Sequence, residues 1–177
     1  AVNDLGGAVF NKDGLNIPEL FKHIAKNPSV KGFQGGEDYE GEILEIECDV
    51  LIPAAVGGVI TSSNAGKIKT NVLIEGANSP TTLNADKILR ENGVIIIPDI
   101  LANAGGITAS YFEWVQNTQN YLWKETELHE KLIDVMLTSF EEVWTISQKQ
   151  NCDLRTAALI KGIKRVAAAK LTRGLFP

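Results

Sequence analysis

The stretch Pro98-Asp-Ile-Leu-Ala-Asn-Ala-Gly-Gly-Ile-Thr-Ala-Ser-Tyr-Phe-Glu-Trp-Val-Gln-Asn117 decides how this chain folds. It follows the apolar run Val94-Ile-Ile-Ile97, which Pro98 ends. A β-branched run stopped by proline predicts a short, buried parallel strand. Polar Asn103 and the pair Gly105 and Gly106 come next, followed by an aromatic-rich helical pattern. In an open α/β sheet, ligands bind just beyond the carboxyl ends of the strands. Glycines there let the backbone approach a ligand and open a helix whose first N–H groups are free. The same spacing also fits an ordinary strand-to-helix loop with no ligand.

On either side of this stretch the pattern of short strands and helices continues. Ala1-Val-Asn-Asp4 reads as the end of a strand with Gly6-Gly7 as a turn, and Ala8-Val-Phe10 as a second short strand. Asn16 can cap a helix with Pro18 in its first turn, running to Lys26. His23 on that helix has no partner at metal-ligand spacing and reads as a surface histidine. Residues 27–39 are glycine-rich and polar, hence loop. The acidic cluster from Glu40 to Asp49 reads as the solvated face of a short helix, not as a metal site. Cys48 to Ile52 is expected to be a buried strand ended by Pro53, with small Ala54 and Ala55 and then Gly57-Gly58 at its carboxyl end. Thr61 to Lys69 is expected to be a short helix and Asn71 to Ile74 a strand, leading into Glu75-Gly-Ala-Asn78. Asn84 to Glu91 follows as a helix closed by Gly93.

Beyond Asn117, Glu127 to Gln150 is amphipathic, with Leu128, Leu132, Val135, Met136, Phe140, Val143, Trp144 and Ser147 at helical spacing. Asp153 caps a last helix whose buried side includes Leu154, Ala157, Ala158, Ile163, Val166 and Leu171, and Gly174 ends it.

The 177 residues suit about one domain. The chain holds 17 Lys and Arg against 22 Asp and Glu, a net charge of −5, with no basic run; nucleic acid is not an expected partner. Apolar runs are too short to span a bilayer and no signal peptide is visible, so no membrane partner and a cytoplasmic location are expected. Cys48 and Cys152 fit no metal-ligand spacing and read as reduced thiols; no metal is expected. Starting at Ala1, without Met, in what reads as a strand end, the sequence has the pattern of a partial chain.

Asn103-Ala-Gly-Gly106 followed by Ser110-Tyr-Phe-Glu-Trp114 resembles the signature that follows the last coenzyme-domain strand of glutamate dehydrogenases. Asn11-Lys-Asp-Gly14, Cys48-Asp-Val-Leu-Ile-Pro-Ala-Ala55, Glu75-Gly-Ala-Asn-Ser-Pro-Thr-Thr82 and Asp153-Leu-Arg-Thr-Ala-Ala158 are similar to further family motifs, in the family's order. The resemblance covers essentially the whole chain, but only the C-terminal part of such an enzyme. Ser79 departs from it, standing where a glycine is frequent.

The resemblance implies an α/β fold: a partial doubly wound (Rossmann-type) parallel sheet, its first strand and Gly-rich turn missing, followed by C-terminal helices. The visible strands would be the second and the fourth to sixth of that sheet. Residues 1–104 would form the partial dinucleotide-binding domain. Residues 105–177 would pack on it and lead back toward an absent N-terminal substrate domain. The implied reaction is oxidative deamination of L-glutamate to 2-oxoglutarate and ammonia with NAD or NADP, in a homo-oligomer, a hexamer in the family.

The implied cofactor-binding residues are Asp4, Ala54, Ala55, Asn78 and Asn103, and the implied substrate-binding residues are Ile107 and Ser110. Asp4 matches the acidic residue that accepts hydrogen bonds from the adenosine ribose; beside glycines it also fits a plain turn aspartate. Asn78 matches an asparagine near the nicotinamide. Ser110 has a hydroxyl for a side-chain carboxylate and Ile107 an aliphatic surface for its methylenes, although a mid-helix serine also bonds back to its own helix. The family's catalytic lysine and aspartate belong to the absent domain, so no catalytic residue is assigned and the isolated chain is expected to be inactive. The alternatives are a related leucine, valine or phenylalanine dehydrogenase, and a non-catalytic nucleotide-binding module.

Overall fold

A computed structural model describes residues 1–174. They divide into two compact units. The first comprises Ala1–Cys48 with Lys67–Lys69, and the second Asp49–Gly66 with the chain from Thr70 onward.

In the first unit, β1 (Val2–Asp4) and β2 (Gly7–Phe10) pair antiparallel in the register Val2↔Val9 and Asp4↔Gly7. Only Leu5 and Gly6 separate the strands, and so short a link permits no parallel pairing. β3 (Glu37–Asp38) completes a three-stranded sheet in the order β1-β2-β3. Among the described residues β1 thus belongs to an antiparallel hairpin, where the strand-end reading anticipated a parallel neighbour. The helix α1 (Ile17–Ile24) starts as expected: the Asn16 side chain accepts a hydrogen bond from the Glu19 N–H at 3.2 Å, and Pro18 occupies the first turn. Leu20 faces inward, against a core of Val9, Val30 and Phe33.

In the second unit, β5 (Thr70–Ile74) is the central strand between β4 (Cys48–Leu51) and β6 (Ile95–Ile97). β5 and β6 run parallel, with Leu73 opposite Ile96 and Ile74 opposite Ile97. Between them the chain crosses over through α2 (Leu83–Glu91). The Thr82 hydroxyl caps its start, and Gly93, at φ +82°, supplies the left-handed residue after its end. Leu73, Ala85 and Leu89 are fully buried.

Past β6 the chain is helical: α3 (Asp99–Ala102), α4 (Gly105–Gln119), α5 (Glu125–Gln150) and α6 (Leu154–Arg173). The Asp153 carboxylate caps α6, accepting from the Thr156 N–H at 2.9 Å and its hydroxyl at 2.8 Å. Leu101, Val143, Leu154, Ala157 and Ala158 form the core that joins α3, α5 and α6. Small side chains at the contact let helix axes approach.

Four further expectations need correction. β4 is a strand but is not buried: Val50 is 47% exposed, and Ile52, just past its end, 56%. β6 keeps only Ile96 inside, while Ile95 is 47% exposed. Both flank β5, and a parallel strand is buried on both faces only where helices cover both. Residues 61–69 hold a 3-10 turn, Ala65–Lys67, instead of a helix. There the Asn64 side chain bonds the Thr61 N–H and the Val59 carbonyl, competing with helical hydrogen bonds. On the long helices, Val143, Ser147, Leu154, Ala157 and Ala158 are buried, but Ile163, Val166 and Leu171 on α6 are 66%, 69% and 83% exposed. Helical spacing marks an apolar face without deciding what covers it.

Candidate functional site

The carboxyl ends of β4, β5 and β6 gather most of the expected site residues. Pro53 carries the chain out of β4, and its carbonyl accepts from the Ala77 N–H at 2.9 Å. The Gly58 N–H donates to the Ser79 carbonyl, also at 2.9 Å. Gly57 is required by this contact, because a Cβ there would lie 2.8 Å from the Asn78 carbonyl oxygen. Ala54 and Ala55 are exposed beside these turns.

Asn78 and Asn103, from the ends of β5 and α3, are brought together. The Asn103 Nδ2 donates to Asn78 Oδ1 at 2.8 Å and more weakly to the Gly76 carbonyl at 3.4 Å. That bond fixes which end of the Asn78 amide is the acceptor, and leaves its N–H groups as donors for another molecule. Ser79 takes a left-handed conformation, φ +47°, which explains why a glycine suits this position. Its N–H donates to Asp99 Oδ2 at 2.8 Å.

Beneath these turns lies a charge cluster to which the sequence reading gave no role. Glu75 is fully buried. Both its oxygens accept from Arg155 Nη2 at 2.8 Å, and Oε2 also accepts from the Asp99 N–H at 2.9 Å. Arg155 in addition donates from Nη1 to Asp99 at 3.1 Å and from Nε to Asp86 at 3.0 Å. Asp86 accepts from Arg90 Nε at 2.7 Å, and Arg90 reaches Asp153 at 3.3 Å. The planar guanidinium is the side chain suited to bridging several carboxylates in this way. Burial alone would lower the Arg155 pKa, but the hydrogen bonds and charges of Glu75 and Asp86 raise it above its ordinary value. The available cue was slight: a glutamate closing the apolar run of β5, and an arginine in the first turn of α6.

Ile107 and Ser110 lie three apart on α4, on one face, both exposed. Thr108 bonds back to the Ala104 carbonyl at 2.9 Å, whereas among the described residues Ser110 makes no such bond. The aromatic residues of the same helix divide: Tyr111 and Trp114 are exposed, while Phe112 is buried with its ring edge toward Trp123.

Asp4, in the first unit, is already engaged. Its Oδ1 accepts from the Gly6 N–H at 2.9 Å and the Ser29 hydroxyl at 2.7 Å, and its Oδ2 from the Val30 N–H at 2.7 Å. Burial opposes its ionisation, but these bonds outweigh it and hold the carboxyl below its ordinary range. A carboxylate accepts about four hydrogen bonds, so capacity for a ribose hydroxyl remains. His23 faces the Ser29 carbonyl at 3.1 Å, in a structural role. Among the described residues no group of three or more His, Cys, Asp or Glu side chains is placed to hold a metal, and no helix is long and apolar enough to cross a membrane.

Comparison with known proteins bears out the resemblance seen in the sequence. The model of the Glutamate/Leucine/Phenylalanine/Valine dehydrogenase family matches residues 1–174. A glutamate dehydrogenase of Thermotoga maritima is 43% identical over 100% of this chain and 43% of its own length. The catabolic NAD-specific glutamate dehydrogenase RocG of Bacillus subtilis is 44% identical over 98% of this chain and 41% of its own. Among solved structures, a hetero-hexameric glutamate dehydrogenase from Thermus thermophilus, in its Leu-bound form, superimposes with a TM-score of 0.87 at 26% identity, over 97% of this chain and 40% of that one. The chain spans about two fifths of the length of the curated relatives it matches.

Proposed function

From the premise that this chain belongs to the Glutamate/Leucine/Phenylalanine/Valine dehydrogenase family, we propose that it is the coenzyme-binding part of a glutamate dehydrogenase. The intact enzyme would convert L-glutamate, water and oxidised NAD or NADP to 2-oxoglutarate, ammonium, the reduced coenzyme and a proton. The observation that carries the reading is the Asn78–Asn103 pair, two amides joined at 2.8 Å where parallel strands end. Ligands of open α/β sheets bind at such strand ends.

The residues present fit a nicotinamide coenzyme. Asn78 offers amide N–H groups, Asn103 holds that amide in place, and the small Ala54 and Ala55 leave the neighbouring backbone open to approach. Asp4, taken by itself, has acceptor capacity for ribose hydroxyls, and its negative charge favours NAD over NADP. When bound, the coenzyme supplies the acceptor for the hydride that leaves the substrate α-carbon. On α4, Ser110 donates its hydroxyl to the side-chain carboxylate of glutamate and Ile107 packs on the methylenes. Residues 1–104 serve the coenzyme, and residues 105–177 lead toward a substrate domain that brings the acid–base groups. The enzyme is read as a cytoplasmic homo-hexamer.

Steady-state assays of the intact enzyme test this reading. Glutamate should be oxidised in preference to leucine, valine and phenylalanine, and the isolated 177-residue chain should produce no reduced coenzyme. Preference for a branched or aromatic amino acid would transfer the chain to another branch of the family. Turnover by the isolated chain would mean that its acid–base groups lie within these residues.

A further inference from the structure

We propose that Arg155 is the positioning residue for the coenzyme-facing amide pair, although it stands on α6, 80 residues along the chain from Glu75. The proposal rests on the reading of Asn78 and Asn103 as the coenzyme edge. Its basis is a continuous path of short hydrogen bonds. Arg155 holds the fully buried Glu75 at 2.8 Å and Asp99 at 3.1 Å. Glu75 in turn receives the Asp99 N–H at 2.9 Å, which fixes the start of α3. Asp99 then uses its other oxygen to hold the Ser79 N–H at 2.8 Å. That bond keeps the residue next to Asn78 in the left-handed conformation, φ +47°. The short helix that begins at Asp99 ends at Ala102, so the same grip sets where Asn103 meets Asn78.

Among the described residues no other cation bonds both Glu75 and Asp99. Arg90 touches Asp86 and Asp153 but neither Glu75 nor Asp99. A left-handed non-glycine residue persists only where its surroundings enforce it, and at Ser79 Asp99 holds the N–H while the Gly58 N–H holds the carbonyl. Arg155 therefore acts through Glu75 and Asp99 and touches no reacting atom. A lysine in its place would carry the charge without the planar fork that reaches Glu75, Asp99 and Asp86 together.

The test uses the intact enzyme with three changes: Arg155→Lys; the paired change Glu75→Gln with Arg155→Met, which removes the fully buried carboxylate together with its counter-charge; and Asn78→Ala as a control on the coenzyme reading. The expected result is a rise of roughly 10-fold or more in the KM for the coenzyme in both Arg155 variants. The KM for glutamate should stay within about twofold in each. The paired variant guards against failure to fold, because removing both charges avoids the larger cost of stranding one. If Asn78→Ala raises the coenzyme KM but the folded Arg155 variants do not, or if they shift both KM values alike, Arg155 is structural and the proposal is overturned. If Asn78→Ala leaves the coenzyme KM unchanged, the coenzyme reading of the strand ends fails, and the proposal falls with it.

Discussion

In the turn from Glu75 to Ser79, the Glu75 carboxylate, the Asn78 amide oxygen and the Ser79 N–H and carbonyl are each engaged by a distant part of the chain. On α4, a short way on, Ile107, Ser110 and Trp114 stand exposed. The turn is cross-linked by Arg155, Asp99 and Asn103, and each link spans 20 or more residues. Ser110 makes no side-chain hydrogen bond among the described residues. The two regions show two ways of preparing a site. Where backbone must hold one unfavourable shape, buried charge fixes it. At Ser110, proposed to meet the substrate, the hydroxyl is exposed and has no side-chain partner among the described residues.

Removing the main cross-link should give the largest effect. Arg155→Met leaves Glu75 buried without its counter-charge, and breaking such a pair costs about 3–5 kcal/mol. The denaturant midpoint of the intact enzyme should fall accordingly, and Glu75→Gln added to Arg155→Met should restore most of it. A single variant as stable as the parent would mean that the turn is held by its backbone contacts alone.

Ser110→Ala probes the opposite region. Loss of a hydrogen bond to a charged group costs about 1.5–3 kcal/mol, so kcat/KM for glutamate should fall roughly 10-fold or more. For norvaline, which lacks the side-chain carboxylate, little should change. Stability should move by no more than about 0.5 kcal/mol. Equal losses on both substrates would show that Ser110 is structural, and the contrast with the turn would disappear.

A smaller effect is expected at Asp153, at the rim of the charge cluster. Burial tends to raise its pKa, but the Thr156 N–H and hydroxyl and the charge of Arg90 bring it below the ordinary 3.8. A carboxyl depressed in the folded state contributes stability that is complete above pH 3.8 and is lost as pH falls through the folded value. Asp153→Ala should cost about 1 kcal/mol at neutral pH, the usual value of a helix cap. As pH falls from 3.8 through the lower folded-state value, the gap between parent and variant should close. A gap that persists in acid would assign the loss to packing and not to the ionised cap.

The smallest expected change tests the turn from the other side. Ser79→Gly relieves a left-handed serine, worth about 1–2 kcal/mol, against about 0.5–1 kcal/mol of added chain entropy. The variant should be more stable by about 0.5 kcal/mol in thermal unfolding, with Asn78 still functional. Clear destabilisation would show that the serine side chain itself contributes to the turn.

Much of this was legible in the sequence. Helix caps at Asn16 and Asp153 are local: the side chain bonds a backbone group three residues on, so order along the chain suffices. The parallel pairing of β5 and β6 followed from apolar runs separated by a helix, and the family followed from the Asn103–Trp114 string. Asn78 and Asn103 could each be singled out by position, but not as partners, because their bond joins residues 25 apart. Exposure was the least legible property. The spacing of Ile163, Val166 and Leu171 marks an apolar face, and only the packed structure shows that this face stays open.

The sequence by itself determined the caps at Asn16 and Asp153, the runs that become β4, β5 and β6, and which family the chain resembles, because those depend on neighbours within a few residues and on residue order. The tertiary structure alone decided that β4 and β6 expose side chains on either side of β5, and that Arg155 gathers Glu75, Asp86 and Asp99. The physical reason is that a buried charge is tolerable only beside its counter-charge. Here the counter-charges come from a strand end, a helix face and the start of α3, which share no local pattern and meet only when the chain is folded.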